Sequence, residues 1–422
     1  MTRAPTRPAL LKPLGPVKTR KRWHRVLAWS LVAVVLAAGA FVGFQLTRGV
    51  PSPTVRSAVP ASIRVPGTPP ALPWPAKGEA VVGLMGQGVL GSSGGNAPVP
   101  IASVTKVMSA LVILRDHPIG PADPGPPVAI TPADVDQYNA AVAGKESAVK
   151  VVAGEMITER QMLDALLVGS ADNISSVLAT WDAGSEPALL AKMNSAAAAL
   201  GMGATHYVDL NGLNAGTVST AGDQLTVAQA AMANPTFAAI VRQPEVTLPV
   251  AGRVFNFNRL AGRDGVIGVK TGNTMAAGSC LMFAADRVVA GQHVTVLGVV
   301  LGQPGPAAPQ PALDSGKTLL DAAGTSLASV TVVPAGQPAA TVSAAWVSGS
   351  VQASTSTPVS ILGWPGMQVQ TQFQPRQVGS SFPAGTVVGT LTVRAAGQAH
   401  QVPVKATSSL PGPSLQWRVR HV

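Results

Sequence analysis

The sequence predicts an α+β domain, an antiparallel sheet with a helical cluster, followed by a small all-β domain. Apolar residues recur at helical spacing in several segments between Ser103 and Leu200, and the period changes to strands from Gly265 to Leu301. From about Leu327 onward only short strand patterns separated by Gly and Pro turns remain. A chain of 422 residues exceeds one average domain, and 46% apolar residues supply ample core.

The formal charge of +11 suggests nucleic acid until it is mapped. Arg3, Arg7, Lys12, Lys18, Arg20, Lys21, Arg22 and Arg25 sit in residues 1–25 with no acid among them. Removing those eight leaves 22 basic against 19 acidic residues, and no basic stripe interleaved with aromatics. The charge is therefore a topology signal, and nucleic acid is excluded as a partner. It flanks 21 uncharged residues, Val26 to Leu46. At about 1.5 Å per residue this run spans the roughly 30 Å hydrocarbon layer. Small residues at Ala37 to Ala40 offer a cleaved signal peptide as the rival reading, but its apolar region would be only about 7–15 residues. The expectation is a cytoplasmic tail (1–25), a transmembrane signal-anchor (26–46) and a stiff Pro-rich linker (47–76), with everything after Arg48 outside the membrane.

The body begins near Lys77 with a strand pattern at Glu79–Leu84. A helix over Ser103–Arg115 carries Val104, Val107, Met108, Leu111 and Val112 on one stripe. Thr158-Glu-Arg-Gln161 is a capping box opening a helix that stops at Gly169. Another starts near Asn173 with Ile174, Val177, Leu178 and Trp181 in register, and Glu186–Leu200 follows, ended by Gly201. The strand runs VIGVKTG, SCLMFAA and HVTVLGVVLG read as a meander, and a helix near Ser315–Ala323 closes a domain of residues 77–325. Residues 326–422 form the all-β module, expected as a small sandwich.

Ser103-Val-Thr-Lys106 opens an apolar helix, and a spacing of three puts Ser and Lys on one face with Cβ atoms about 5–6 Å apart. A lysine among apolar neighbours can lose its proton and act as the base that a weak serine nucleophile needs. Such tetrads recur by chance, and an ordinary solvated Lys is the usual explanation of an isolated one. Two more motifs follow in order: Ser170-Ala-Asp-Asn173 between two helices, and Lys270-Thr271-Gly272 on a strand, where Gly lets a substrate backbone approach. Gly86-Gln-Gly88-Val-Leu-Gly91 fits a dinucleotide fingerprint, yet the SSGGNAPVP that follows cannot open a helix, so a hairpin turn is expected. The six histidines are scattered and imply no metal. Cys280, the lone cysteine, reads as a buried hydrophobe, and His206 with Asp209 as structural.

The three motifs together resemble the set shared by penicillin-binding proteins and serine β-lactamases. NFNRLAGRDGVIGVKTGNTMAAGSCLMFAA (Asn256–Ala285), THYVDLNGLNAGTVSTAGD (Thr205–Asp223) and FPAGTVVGTLTVRAAGQAHQVPVKA (Phe382–Ala406) are similar to the serine D-alanyl-D-alanine carboxypeptidases. The resemblance implies a penicillin-binding, β-lactamase-like transpeptidase domain acting on peptidoglycan stem peptides, with β-lactam antibiotics as acylating inhibitors and no cofactor. It implies that Ser103 attacks the D-Ala-D-Ala amide, Lys106 takes its proton, and Ser170 relays it to the departing D-alanine. Lys270 and Thr271 hold the terminal carboxylate, and the backbone N–H groups of Ser103 and Asn273 form the oxyanion hole. The family usually has Asn two residues after the second-motif Ser, where this chain has Asp172. Either Asp172 points into the site and holds Lys106 as an ammonium, or the loop shifts by one residue and Asn173 supplies the amide. A catalytically impaired wall-binding homologue is thus one alternative. A β-lactamase is another, which the anchor, the β-rich tail and the lack of a deacylating Glu motif oppose.

Overall fold

A computed structural model describes Met1 and residues 20–305, 308–395 and 398–421. Arg3, Arg7, Lys12 and Lys18 of the expected cytoplasmic tail lie outside the described residues. Helix α1 (Arg20–Thr47) carries one stretch, Trp23–Thr47, that is long and apolar enough to cross a membrane, with mean hydropathy 2.3 and only Gln45 of it buried.

The segment expected as a spacer carries two short strands, β1 (Thr54–Ser57) and β2 (Ser62–Arg64). Prolines flank rather than fill them, so their N–H groups are free for ladders. Neither is free of the body, because both pair with the C-terminal module, and Val65 and Leu72 are buried in the adjoining core.

The central sheet has five antiparallel strands. These are β3 (Glu79–Leu84), β4 (Gly88–Ser93), β5 (Val266–Thr274), β6 (Gly278–Val289) and β7 (Gln292–Gln303), in the order β5-β6-β7-β3-β4. The glycines of the apparent dinucleotide fingerprint make the β3–β4 turn, with Gly86 and Gly88 at positive φ. Strand β3 is buried along its whole length because the sheet is covered on both faces. On one side lie the helices, including α2 (Lys106–Asp116), α3 (Glu159–Leu167) and α4 (Asp172–Ala183), in a core with Val107, Met108, Leu163, Leu166, Ile174 and Leu178. On the other lie α5 (Gln310–Ser326) and the C-terminal module.

That module is a seven-stranded antiparallel sheet. Its own strands β8 (Pro338–Ser343), β9 (Ser350–Thr355), β10 (Gln368–Pro375), β11 (Val387–Ala395) and β12 (Gln398–Ala406) run β1-β8-β9-β12-β11-β10-β2. A two-stranded ribbon, Ala328–Val333 with Val359–Gly363, packs beside it. The strands expected beyond Leu327 are present except at the far end, where Leu415–His421 is a helix instead, and both outer places in the sheet are taken by the linker.

Candidate active site

Ser103 stands in a 3-10 turn, Ala102–Thr105, that leads into α2, rather than in the helix proper. The turn is strained: Ala102 has φ of +48°, in the left-handed region that costs a residue with a Cβ roughly 1–3 kcal/mol. Its surroundings impose that conformation. A Cβ on Gly212 would stand 1.9 Å from the Ala102 carbonyl oxygen, and one on Gly272 would stand 3.0 Å from the Ser103 nitrogen. Only glycine lets the 205–217 loop and strand β5 close on the serine from two sides.

Lys106, one turn on, is completely buried. Its Nζ donates to Ser103 Oγ at 2.8 Å, to the Asn211 carbonyl at 3.2 Å and to Asp172 Oδ1 at 2.6 Å. Three acceptors match the three donors of an ammonium, which is how a buried cation is tolerated. Across the cleft Lys270, also buried, donates to Ser170 Oγ at 2.9 Å and to its neighbour Thr271's carbonyl at 3.0 Å. Burial pushes the Lys270 pKa well below its ordinary value, the Lys106 charge adds to this, and Asp172 opposes it. Ser170, like Ala102, has positive φ (+55°), and this kink lets positions 170 and 172 reach one lysine each.

Ser103, Ser170, Thr271, Gly272 and Asn273 line one cavity of about 310 Å³. Lys106, Asp172 and Lys270 stand behind its wall through the contacts above. Asn173 does not join them. Its amide is taken up by Val149, accepting from the backbone N–H and donating to the carbonyl at 3.0 Å each. The Asn173 side chain thus braces α4 against the 144–151 loop. Asp172 points into the site.

Asn211 was not singled out from the sequence, since a carbonyl ligand leaves no side-chain signature. Asp209 in the same loop accepts from Thr217 Oγ1, Gly212 N and Asn214 N, a structural role as expected. Cys280 is buried with its thiol pushed up to about 11 by burial, too high for a nucleophile.

A sheet edge laid over a serine in the turn that leads into a helix, with one buried lysine on each side of the cleft, is the arrangement of the serine penicillin-binding class. Residues 74–305 match the peptidase S11 family, D-alanyl-D-alanine carboxypeptidase, and the chain belongs to that family. It is 34% identical over 234 residues to D-alanyl-D-alanine carboxypeptidase DacB2 of Mycobacterium tuberculosis, covering 54% of this chain and 76% of that one. The crystal structure of the Streptomyces K15 DD-transpeptidase is similar with a TM-score of 0.52 and 28% identity, covering 60% of this chain and 99% of that one. The PBP3 peptidoglycan synthesis regulatory factor of Streptococcus pneumoniae shares the fold over 79% of this chain and 99% of its own, with a TM-score of 0.58 and 22% identity.

Proposed function

We propose that this chain removes the terminal D-alanine from peptidoglycan stem pentapeptides through an acyl-serine intermediate. The observation that carries the reading is the 2.8 Å contact of buried Lys106 with Ser103, on a cavity that Ser170 and Thr271 also line. Ser103 Oγ attacks the carbonyl carbon of the D-Ala-D-Ala amide while its proton passes to Lys106. The C–N bond breaks as Ser170 relays the proton that Lys106 took from Ser103 to the departing amine, leaving an ester on Ser103. Lys270 and Thr271 hold the terminal carboxylate, and the backbone N–H groups of Ser103 and Asn273 receive the oxyanion. Gly272 leaves room for the substrate backbone. Water hydrolyses the ester, restoring Ser103. No cofactor enters the scheme, and a β-lactam acylates the same serine.

Asp172 Oδ1 stands 2.6 Å from Lys106 Nζ, and Lys106 takes the Ser103 proton as a neutral amine. Helix α1 anchors the chain with its N-terminus cytoplasmic and residues 77–325 and 326–422, as catalytic and C-terminal domains, outside the cell membrane.

The test is fluorescent-penicillin labelling of the full chain beside its Ser103→Ala variant. Label on the wild type alone, with D-alanine release lost in the variant, is the expected result. A folded wild type that takes no label overturns the reading.

A further inference from the structure

Next to the Ser103 cavity lies a second hollow of about 510 Å³, and the two share Ser147 and Phe257 in their walls. The second is built from the 147–150 loop and a hairpin of two short strands, Glu245–Leu248 and Gly252–Phe255. Lys150, Arg253 and Arg259 line it, and Lys145 lines the Ser103 cavity beside it. No Asp or Glu lines either wall among the described residues. Arg253 pairs with Glu245 at 2.5 Å and lies over the Phe255 ring at 5.0 Å. Lys150 and Arg259 form no ion pair among the described residues. Phe255 and Phe257 are exposed, 61% and 45%, and both line this hollow.

We propose that this basic, aromatic-edged trough is a subsite for the upstream part of the substrate peptide, and that it selects peptides carrying a free carboxylate N-terminal to the scissile bond. The inference rests on the acyl-serine reading, because that reading fixes which end of the peptide occupies the Ser103 cavity. A peptide whose terminal carboxylate is held by Lys270 and Thr271 has to leave that cavity, and the wall shared through Ser147 and Phe257 leads it into the trough. There a carboxylate meets unpaired cations with no competing acid on the walls. The phenyl faces cover the aliphatic parts of the peptide. Charges this exposed act by complementarity and are weakened by salt.

The experiment uses the full chain in detergent with Ser103→Ala, so that binding is read without turnover. Two labelled pentapeptides ending in D-Ala-D-Ala are compared by fluorescence anisotropy, one with a free upstream carboxylate and one with that carboxylate amidated. The acidic peptide is expected to bind roughly tenfold more tightly at about 50 mM salt, and the ratio to shrink at about 300 mM. Adding Lys150→Gln and Arg259→Gln should bring the ratio close to one, and Arg259→Glu should invert it. If the double variant does not fold, each single change is expected to lower the ratio about threefold. A ratio of one in the Ser103→Ala parent, or a ratio that survives loss of both cations, overturns the subsite. Failure of the acyl-serine reading appears separately, as wild-type protein that penicillin does not label.

Discussion

Among the three acceptors of Lys106, Asp172 is the one that carries charge, and at 2.6 Å it is also the nearest. Replacing it with Asn keeps an oxygen acceptor of the same shape and removes the charge. Asp172→Asn is expected to raise the rate of acylation by penicillin near neutral pH about tenfold, because the charge that favours the ammonium form of Lys106 is gone. An unchanged rate would show that the carboxylate does not govern Lys106 as the base. A second buried carboxyl has no such partner. Glu159 is completely buried, with neither carboxyl oxygen hydrogen-bonded. Its pKa is raised from 4.5 to about 7, first by burial and then by the charges of Asp123 and Asp182. The sign follows from linkage: the folded chain keeps this proton to higher pH than the unfolded chain, so the site destabilises increasingly as pH rises from about 4.5 to about 7. Glu159→Gln should therefore raise stability by on the order of 2 kcal/mol at pH 8 and much less at pH 5. Urea midpoints at the two pH values decide it, and an equal shift at both would remove the titration argument.

At the scale of elements, the approach of the 144–151 loop to the start of α4 shapes the cleft. Besides the two Val149 contacts of Asn173, the Asp172 backbone N–H donates to the Ser147 carbonyl at 2.7 Å. Asn173→Ala leaves both Val149 backbone groups unpaired, which costs about 1–3 kcal/mol. It should lower Tm by several degrees and slow penicillin labelling, because the loop that carries Ser147 loosens. A lower Tm with an unaltered labelling rate would mean that the brace serves stability alone. The elements themselves were largely legible. The capping box at Thr158–Gln161 is present in both directions, and Ile174, Val177 and Leu178 are buried as their stripe requires. Three features were not. Helix Pro132–Ala143 buries only Ala141, so no apolar stripe marks it. The Ser103 turn owes its form to Gly212 and Gly272, more than a hundred residues away, rather than to local propensity. And Asp172 and Asn173 are neighbours on a helix, about 100° apart, so which one faces the cleft depends on how α4 is rotated by its packing.

Over the whole molecule the path of the chain is the unexpected feature. Leaving α1, it adds β1 to one edge of the C-terminal sheet and β2 to the other before it enters the catalytic domain. The far end returns to the same place, for Arg418 in the terminal helix Leu415–His421 donates to the Leu46 carbonyl at 3.0 Å. The C-terminal module is thus clasped beside the membrane helix by residues that composition alone marks as a spacer. Short strands flanked by proline carry too little alternation to be seen in sequence, since their pairing partners lie some 280–310 residues downstream. The consequence is specific. A soluble chain beginning at Gly49 keeps both edge strands, whereas one beginning at Lys77 strips them and opens the ladders of β8 and β10, edges of the kind that pair with other chains. The Lys77 chain also loses Val65 and Leu72 from the core between the module and the catalytic domain. It should unfold several degrees lower and run partly as oligomers in size-exclusion chromatography, while the Gly49 chain stays monomeric. Equal Tm and equal elution for the two would mean that residues 49–76 only decorate the module. A difference confined to the C-terminal unfolding step, with penicillin labelling intact in both, would show that the clasp stabilises the module independently of the active site.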